Sequence, residues 1–388
     1  MHIALSEEQT FIRDLARKFA IAEIAPIAGQ LDRDENPAKN RELFLANLKK
    51  LAELGFMGLN VSSDFGGSDA GVVSFSVAVT EIARACASTA VTMSVTNMVS
   101  EVIQAVANEE QKQRYLPKLL SGDYAAGSFC LSEQGAGSNP AAMQTKALRD
   151  GDQWVINGTK AWITSAEYSG LFVVWAVTDA DAPSGKGISC FLVEADTPGL
   201  TIGKAEQKMG QHASTTNMVS FDNCRIPDSA LMGELNDGFR IAVAELAGGR
   251  IGIGSLALGV GFAAMDYARQ YTTEREQFGR SLAEFQGLQW MISDAYTQLE
   301  ASRLLLMNAA YLKESGKPFN KAAAMAKLHA TETGNKVCYT AQQLLGGMGY
   351  TQDSPLERYA RDVRVTSVYE GTSEIQRIII ARELFNEL

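Results

Sequence analysis

Apolar residues in the first 120 or so positions recur at helical spacing. Phe11, Ile12, Leu15, Ala16 and Phe19 follow Ser6-Glu7-Glu8-Gln9, where Ser6 and Gln9 are placed to cap a helix start reciprocally. Pro26 predicts a bend. A second helical pattern runs from Arg41 to Leu54 and is closed by Gly55, and a loop follows through Ser62-Ser63-Asp64-Phe65-Gly66-Gly67. Residues 72 to 108 mix small and apolar side chains, the texture of buried helices, and Gln111 to Leu120 adds a short amphipathic one. The pattern changes near Gly122. Phe129-Cys130-Leu131-Ser132 reads as a strand that runs into the glycine-rich loop Gln134-Gly135-Ala136-Gly137-Ser138-Asn139. Turn-bounded strands follow at Trp154 to Gly158, Leu171 to Val177, Ile188 to Val193 and Met218 to Phe221. Helical periodicity returns at Gly238 and lasts to the end, broken at Gly316-Lys317-Pro318 and at Gly346-Gly347. The expected fold is a multidomain α+β chain: an N-terminal helical domain over 1–121, a small β-barrel or sandwich over 122–228, and a C-terminal helical bundle over 229–388.

Composition narrows the class. With 388 residues the chain is too long for one simple core. A hydrophobic share of 46% and a charged share of 21% fit a soluble globular protein. The net charge of -10 argues against non-specific nucleic-acid binding. Cys86, Cys130, Cys190, Cys224 and Cys338 are scattered without a CxxC pair, which points to reduced thiols in a cytosol-like compartment. His2, His212 and His329 are too dispersed for a metal centre. No uninterrupted apolar run is long enough to span a bilayer, and the N-terminus lacks a secretory pattern. The expected location is the bacterial cytoplasm, or the mitochondrial matrix if a transit peptide has been removed.

Five stretches are candidates for chemistry. In Tyr369-Glu370-Gly371-Thr372-Ser373-Glu374-Ile375-Gln376-Arg377, Ser373 is the expected N-cap and Gln376 completes a capping box. Gly371 permits a tight turn or a close approach. Glu370 then stands just outside a helix N-terminus, either as a general base or as an ordinary acid beside a helix start. The loop Glu133 to Ser138 reads as a cradle of backbone N–H groups for a phosphate or flat ring, or as a hairpin connection; it is not GxGxxG. Trp162-Ile163-Thr164 reads as the flank of an aromatic cofactor or as a core tryptophan with a capping threonine. Arg275 to Arg280 is a pyrophosphate clamp or a solvated interhelical turn. The glycines of Gln343 to Tyr350 form a C-cap or admit a nucleotide.

Together and in this order, Leu131 to Ser138, Asn157 to Thr164, Arg275-x-Gln277-Phe278-Gly279, Gln343 to Gly349 and Tyr369 to Arg377 resemble the acyl-CoA dehydrogenase family over essentially the whole chain. The resemblance implies FAD bound between the β-domain and the C-terminal helices. Phe129, Leu131, Ser132, Gly137, Ser138, Trp162, Ile163 and Thr164 would line the flavin, with the Ser132 and Thr164 hydroxyls on the ring. Arg275, Phe278, Gln286, Gln343, Leu344, Gly346 and Gly347 would hold the adenosine pyrophosphate of a neighbouring subunit, which implies a homotetramer built as a dimer of dimers. Thr372 and Glu374 would touch the flavin side of the pocket. Ser138, Ala247, Gly248, Gly249, Arg250 and Gly371 would face the acyl-CoA.

By the same resemblance Glu370 is the catalytic base. It would take the α-proton while a hydride passes from the β-carbon to flavin N5, and the Glu370 N–H with a flavin ribityl hydroxyl would hold the enolate oxygen. Isovaleryl-CoA dehydrogenases among others carry the base at the position of Gly249; glycine there, with Glu370 present, implies the arrangement of short- and medium-chain enzymes. Asn139 and Ala247 stand where the family usually has Asp, and His212 where it often has Arg. Ala87 to Val95 resembles short-chain and short branched-chain members, and no arginine near Ala90 meets a second carboxylate, although Arg84 is close in sequence. Electron-transfer flavoprotein is the implied acceptor. An acyl-CoA oxidase using oxygen, and a non-catalytic FAD- and CoA-binding assembly protein, are the alternatives on the same fold.

Overall fold

A computed structural model describes residues 4–33 and 35–387. His2 lies outside them. Helix α1 (Glu7–Phe19) opens on the expected capping box, with the Gln9 N–H donating to the Ser6 hydroxyl at 3.1 Å and the Ser6 N–H to the Gln9 side chain at 3.0 Å. The bend comes just before Pro26, as a wide π turn over Ala20–Ile24 that leads into α2 (Ala25–Arg33). Helix α2 continues directly from that turn, and the wider π turn is where the helix accommodates a residue with no N–H to donate. Helix α3 (Pro37–Glu53) begins earlier than its apolar pattern because Asn36 caps it and Pro37 starts it. It stops at Gly55, whose φ of 78° is left-handed. Helices α4 (Gly71–Ala85), α5 (Ala87–Val106) and α6 (Glu109–Leu120) complete the first section.

Eight strands follow: β1 (Ala126–Cys130), β2 (Lys146–Asp150), β3 (Gln153–Thr164), β4 (Ser169–Val177), β5 (Ile188–Glu194), β6 (Leu200–Ala205), β7 (Thr216–Pro227) and β8 (Leu231–Met232). They run in the order β6-β7-β3-β2-β4-β5-β8, with β1 parallel to β4. Strands β2 and β4 meet at the single pair Lys146 and Val177, so the sheet folds there into two layers. Trp154, Ile156, Phe172, Val174, Phe191 and Val219 fill the space between. Strand β4 is buried on both faces: Leu171, Val173 and Trp175 turn the other way, toward Val99, Leu119 and Ile241 of the helices. Strands β2, β6 and β8 go unseen in the apolar pattern, because β2 buries only Ala147 and β6 is an edge strand with exposed positions.

The last section is α7 (Gly238–Glu274), the short hairpin β9 (Glu276–Gln277) and β10 (Arg280–Ser281), then α8 (Gln286–Glu314), α9 (Asn320–Leu345), α10 (Leu356–Arg364) and α11 (Ser373–Asn386). By length and composition α7 could cross a membrane, but Arg250 and Asp266 bound its uninterrupted apolar run, and most of that stretch is buried inside the fold. Its glycines explain the close packing. A Cβ on Gly252 would collide with Ser94 Oγ, and one on Gly259 with the Thr80 carbonyl. Small residues thus seat α7 directly on α4 and α5. The helices of both chain ends share one core, which runs from Ile12 and Phe44 through Ile251 and Leu256 to Val337 and Leu344.

Candidate active site

The turn before α11 differs from the sequence expectation. Thr372 is the N-cap, its hydroxyl accepting from the Ile375 N–H at 3.3 Å. Ser373 is already helical and donates its hydroxyl to Glu332. Gln376 closes no capping box; its amide donates to the carbonyls of Glu370 (3.1 Å) and Gly371 (2.9 Å). The cause is the backbone: φ is 55° at Glu370 and 86° at Gly371, and two left-handed residues in a row move the last non-helical position on to Thr372. A left-handed glutamate costs about 1–2 kcal/mol and persists only where its surroundings fix it.

The Glu370 carboxyl lies against α7. A Cβ on Gly249 would stand 2.8 Å from Glu370 Oε2 and 3.0 Å from Met98 Sδ. Oε2 is buried and, among the described residues, has no hydrogen-bond partner. Burial pushes the Glu370 pKa up to about 7, against the pull of Lys327 and Arg250. Among the described residues, nothing accepts from the Glu370 backbone N–H. Arg250 is buried; its Nη1 donates to Asn320 Oδ1 at 2.6 Å, and among the described residues its Nε has no partner. One turn earlier on α7, burial and the nearby Glu101 raise the Glu245 pKa to about 8. Glu101 itself pairs with Lys313 at 2.9 Å, and Lys313 Nζ lies 2.5 Å from where a Cβ on Gly248 would be. Of the residues expected to face substrate, Gly249, Arg250 and Gly371 gather at Glu370, Gly248 adjoins the Lys313–Glu101 pair, Ala247 is buried, and Ser138 is exposed on its loop.

The ends of β1 and β3 bring the two flavin segments together. The Ala161 N–H donates to the Ser132 carbonyl at 2.9 Å. Lys160, fully buried, donates to Glu133 Oε1 (2.9 Å) and to the Leu131 carbonyl (3.1 Å). Glu133 also accepts from the Gln144 and Thr145 N–H groups at 2.6 and 2.9 Å. Burial alone would raise the Glu133 pKa, but Lys160 and these donors bring it below the usual range. Sequence reasoning did not single out this pair, since a lysine inside Asn-Gly-Thr-Lys looks like a surface turn. Trp162 is left-handed (φ 63°) and 57% exposed, so it is no core tryptophan. Ser132 and Thr164 are half-buried beside it, and at Gly135 and Gly137 nothing stands within 4 Å of an added Cβ. An exposed tryptophan, two hydroxyls and open space at the glycines fit the ring system of FAD. Two of the expected lining residues look elsewhere: Ile163 is buried in the β-core, and Phe129 packs on Trp175 at 4.1 Å between ring centroids. Leu131 is buried in the core shared with the helices.

Arg275, Phe278, Gln286, Gln343, Gly346 and Gly347 are exposed, Phe278 at 93%, whereas Leu344 is buried. Among the described residues no hydrogen bond joins any of them to the residues around Trp162. Glu374 is exposed and Thr372 half-buried. Of the positions that depart from the family pattern, Asn139 is exposed and caps nothing with its side chain. His212 pairs with Asp32 at 3.1 Å, and Asp32 pairs with Arg361 at 2.5 Å.

Residues 6–123, 128–224 and 236–385 match, in turn, the acyl-CoA dehydrogenase N-terminal, middle and C-terminal domains. The mitochondrial short-chain specific acyl-CoA dehydrogenase of Bos taurus is 46% identical over 98% of this chain and 91% of its own. The solved butyryl-CoA dehydrogenase of Megasphaera elsdenii is 35% identical, with a TM-score of 0.94 over 99% of this chain and 100% of that one. A chain from the structure described as the electron transferring flavoprotein of Acidaminococcus fermentans, toward a mechanism of flavin-based electron bifurcation, is 40% identical, with a TM-score of 0.95 over 99% of both. Matched along its whole length in sequence and in fold, the chain belongs to the acyl-CoA dehydrogenase family of FAD-dependent oxidoreductases.

Proposed function

We propose that this chain oxidises the Cα–Cβ bond of a short acyl-CoA thioester to the trans-2-enoyl-CoA, with Glu370 as the base. The observation that carries this reading is the buried, unpartnered Oε2 of Glu370 over the bare backbone of Gly249, on a carboxyl held near neutrality. A base must be both free and ionisable at the working pH, and the open Oε2 and raised pKa support that role for Glu370. Glu370 takes the α-proton. Its backbone N–H donates to the thioester oxygen, where charge develops as that proton leaves. Arg250 keeps a positive charge near the same place. FAD would supply the acceptor for the β-hydride, and Ser132, Gly137, Ser138, Trp162, Thr164, Thr372 and Glu374 are the residues that would hold it. A short acyl chain is supported by the tight packing one turn beyond Gly249, where a Cβ on Gly252 would meet Ser94 of α5 and Phe75 of α4. The short-chain and butyryl names of the relatives agree with that.

Arg275, Phe278, Gln286, Gln343 and Gly347 reach a neighbouring copy's FAD, so the working form is a dimer of dimers. Their exposure in one chain supports this. Electron-transfer flavoprotein is the acceptor of the electrons. The test of the whole reading is anaerobic flavin reduction by butyryl-CoA in Glu370→Gln. We expect the rate to fall by about 10²–10⁴-fold while FAD and substrate still bind. A near-native rate moves the base elsewhere, with Glu245 next in line. Reoxidation by oxygen as fast as by the flavoprotein would mark an oxidase, and a native protein that binds FAD but is bleached by no acyl-CoA would mark a non-catalytic one.

A further inference from the structure

Two side chains fix the left-handed Glu370–Gly371 turn. Gln376 belongs to the same helix. Lys327 does not: it comes from the first third of α9 and donates its Nζ to the Gly371 carbonyl at 2.8 Å. Lys327 is fully buried. A neutral carbonyl is a poor match for a buried full charge, so the position needs a negative group nearby. The acids that face it are Glu370, Glu332 and Glu374, with Arg250 opposed. Glu332 is engaged by the Ser373 hydroxyl, and Glu374 is exposed on α11. Burial pulls the Lys327 pKa down to about 8, and of the charges around it Glu370 resists most. The relation is mutual, because Lys327 is also the strongest positive influence on Glu370. Yet Lys327 Nζ bonds the Gly371 carbonyl and not the carboxylate, and among the described residues Glu370 Oε2 stays without a partner. Around Glu370 the other charged or titratable groups are Arg250 and Glu245 on α7 and the buried phenol of Tyr369, itself pushed up by burial.

We propose that Lys327 is a positioning residue for the base: through the Gly371 carbonyl it locks the turn that aims Glu370 at Gly249, and its charge, held one step away, lets the carboxyl ionise without occupying it. A direct ion pair would make Glu370 too weak a base, and no cation at all would leave it protonated. This role rests on Glu370 being the base.

The test uses the holoenzyme and follows anaerobic flavin reduction by butyryl-CoA across pH. Lys327→Gln keeps a donor for the Gly371 carbonyl and drops the charge. Its rate profile should move up by about one pH unit or more, so the rate near pH 7 falls by roughly tenfold and recovers at higher pH. FAD content and butyryl-CoA affinity should not change. Lys327→Arg should keep the native midpoint, and Gln376→Leu should lower the rate at every pH without moving it. A native midpoint in Lys327→Gln, or a midpoint shifted by a unit in Lys327→Arg, overturns the role of the charge. Glu370→Gln separates the two ideas. If that variant reduces its flavin at the native rate, the base assignment and the Lys327 role fall together. If it is nearly inactive and Lys327→Gln is unshifted, only the Lys327 role falls.

Discussion

Gly249 is the residue on which the base rests. Alanine there would favour helix α7 by roughly 0.5–1 kcal/mol. It would also put a methyl group 2.8 Å from Glu370 Oε2 and 3.0 Å from Met98 Sδ. One of those groups must move. Because an ångström of misplacement at a reacting centre costs about 10²-fold, Gly249→Ala should fold normally and reduce its flavin far more slowly. Stopped-flow reduction beside thermal unfolding checks this, and equal losses in both would contradict it. Glu370 and Gly249 were readable because their motifs resemble a known family. Lys327 was not, and the reason is physical. Its partner Gly371 lies 44 positions away, and nothing local marks a lysine in an alanine-rich helix as buried.

At the scale of elements, the three sections and the main helices were legible from the apolar pattern: α1 buries a stripe, whereas α5 and α7 are buried on every face over long runs of small and apolar residues. What escaped is what depends on neighbours. Strands β2 and β6 owe their shape to pairing with β3 and β7, with few apolar residues of their own. The start of α11 was misplaced by one residue because the left-handed Glu370 cannot be inferred from its side chain. The joint between β1 and β3 is likewise a tertiary device: Lys160 and Glu133 are 27 positions apart and meet only when both strands are in place. Lys160→Met would strand a buried carboxylate, a change that typically costs about 3–5 kcal/mol. It should also loosen the loop carrying Ser132 and Ser138. Urea unfolding and FAD retention on a desalting column measure the two effects, and a variant that keeps both would show the pair to be dispensable.

At the scale of the whole molecule, Asp32 of α2, His212 of the β6–β7 connection and Arg361 of α10 form one charged cluster. It ties together the three sections of the chain. Chiefly through its hydrogen bond to Asp32, His212 has its pKa raised from 6.5 to about 9. A raised histidine stabilises the fold fully below its unfolded value of about 6.5, and the contribution is lost as pH climbs through the folded value. Thermal stability should therefore drop between about pH 7 and pH 10, and His212→Gln should flatten that part of the curve. An unchanged slope in the variant would assign the drop to other groups.

Sharing one core between both chain ends has a consequence for how the protein is made. The helices up to α5 leave the ribosome long before α7 and α9, whose side chains they need. They must wait, part-built, while the β-section between them is synthesised. That section has a core of its own in Trp154, Phe172 and Phe191, and domains generally fold as units. It can settle first, an insert maturing inside an unfinished helical body. Final closure then depends on the segments synthesised last, among them the turn that carries Glu370, so a truncated chain never presents a working base.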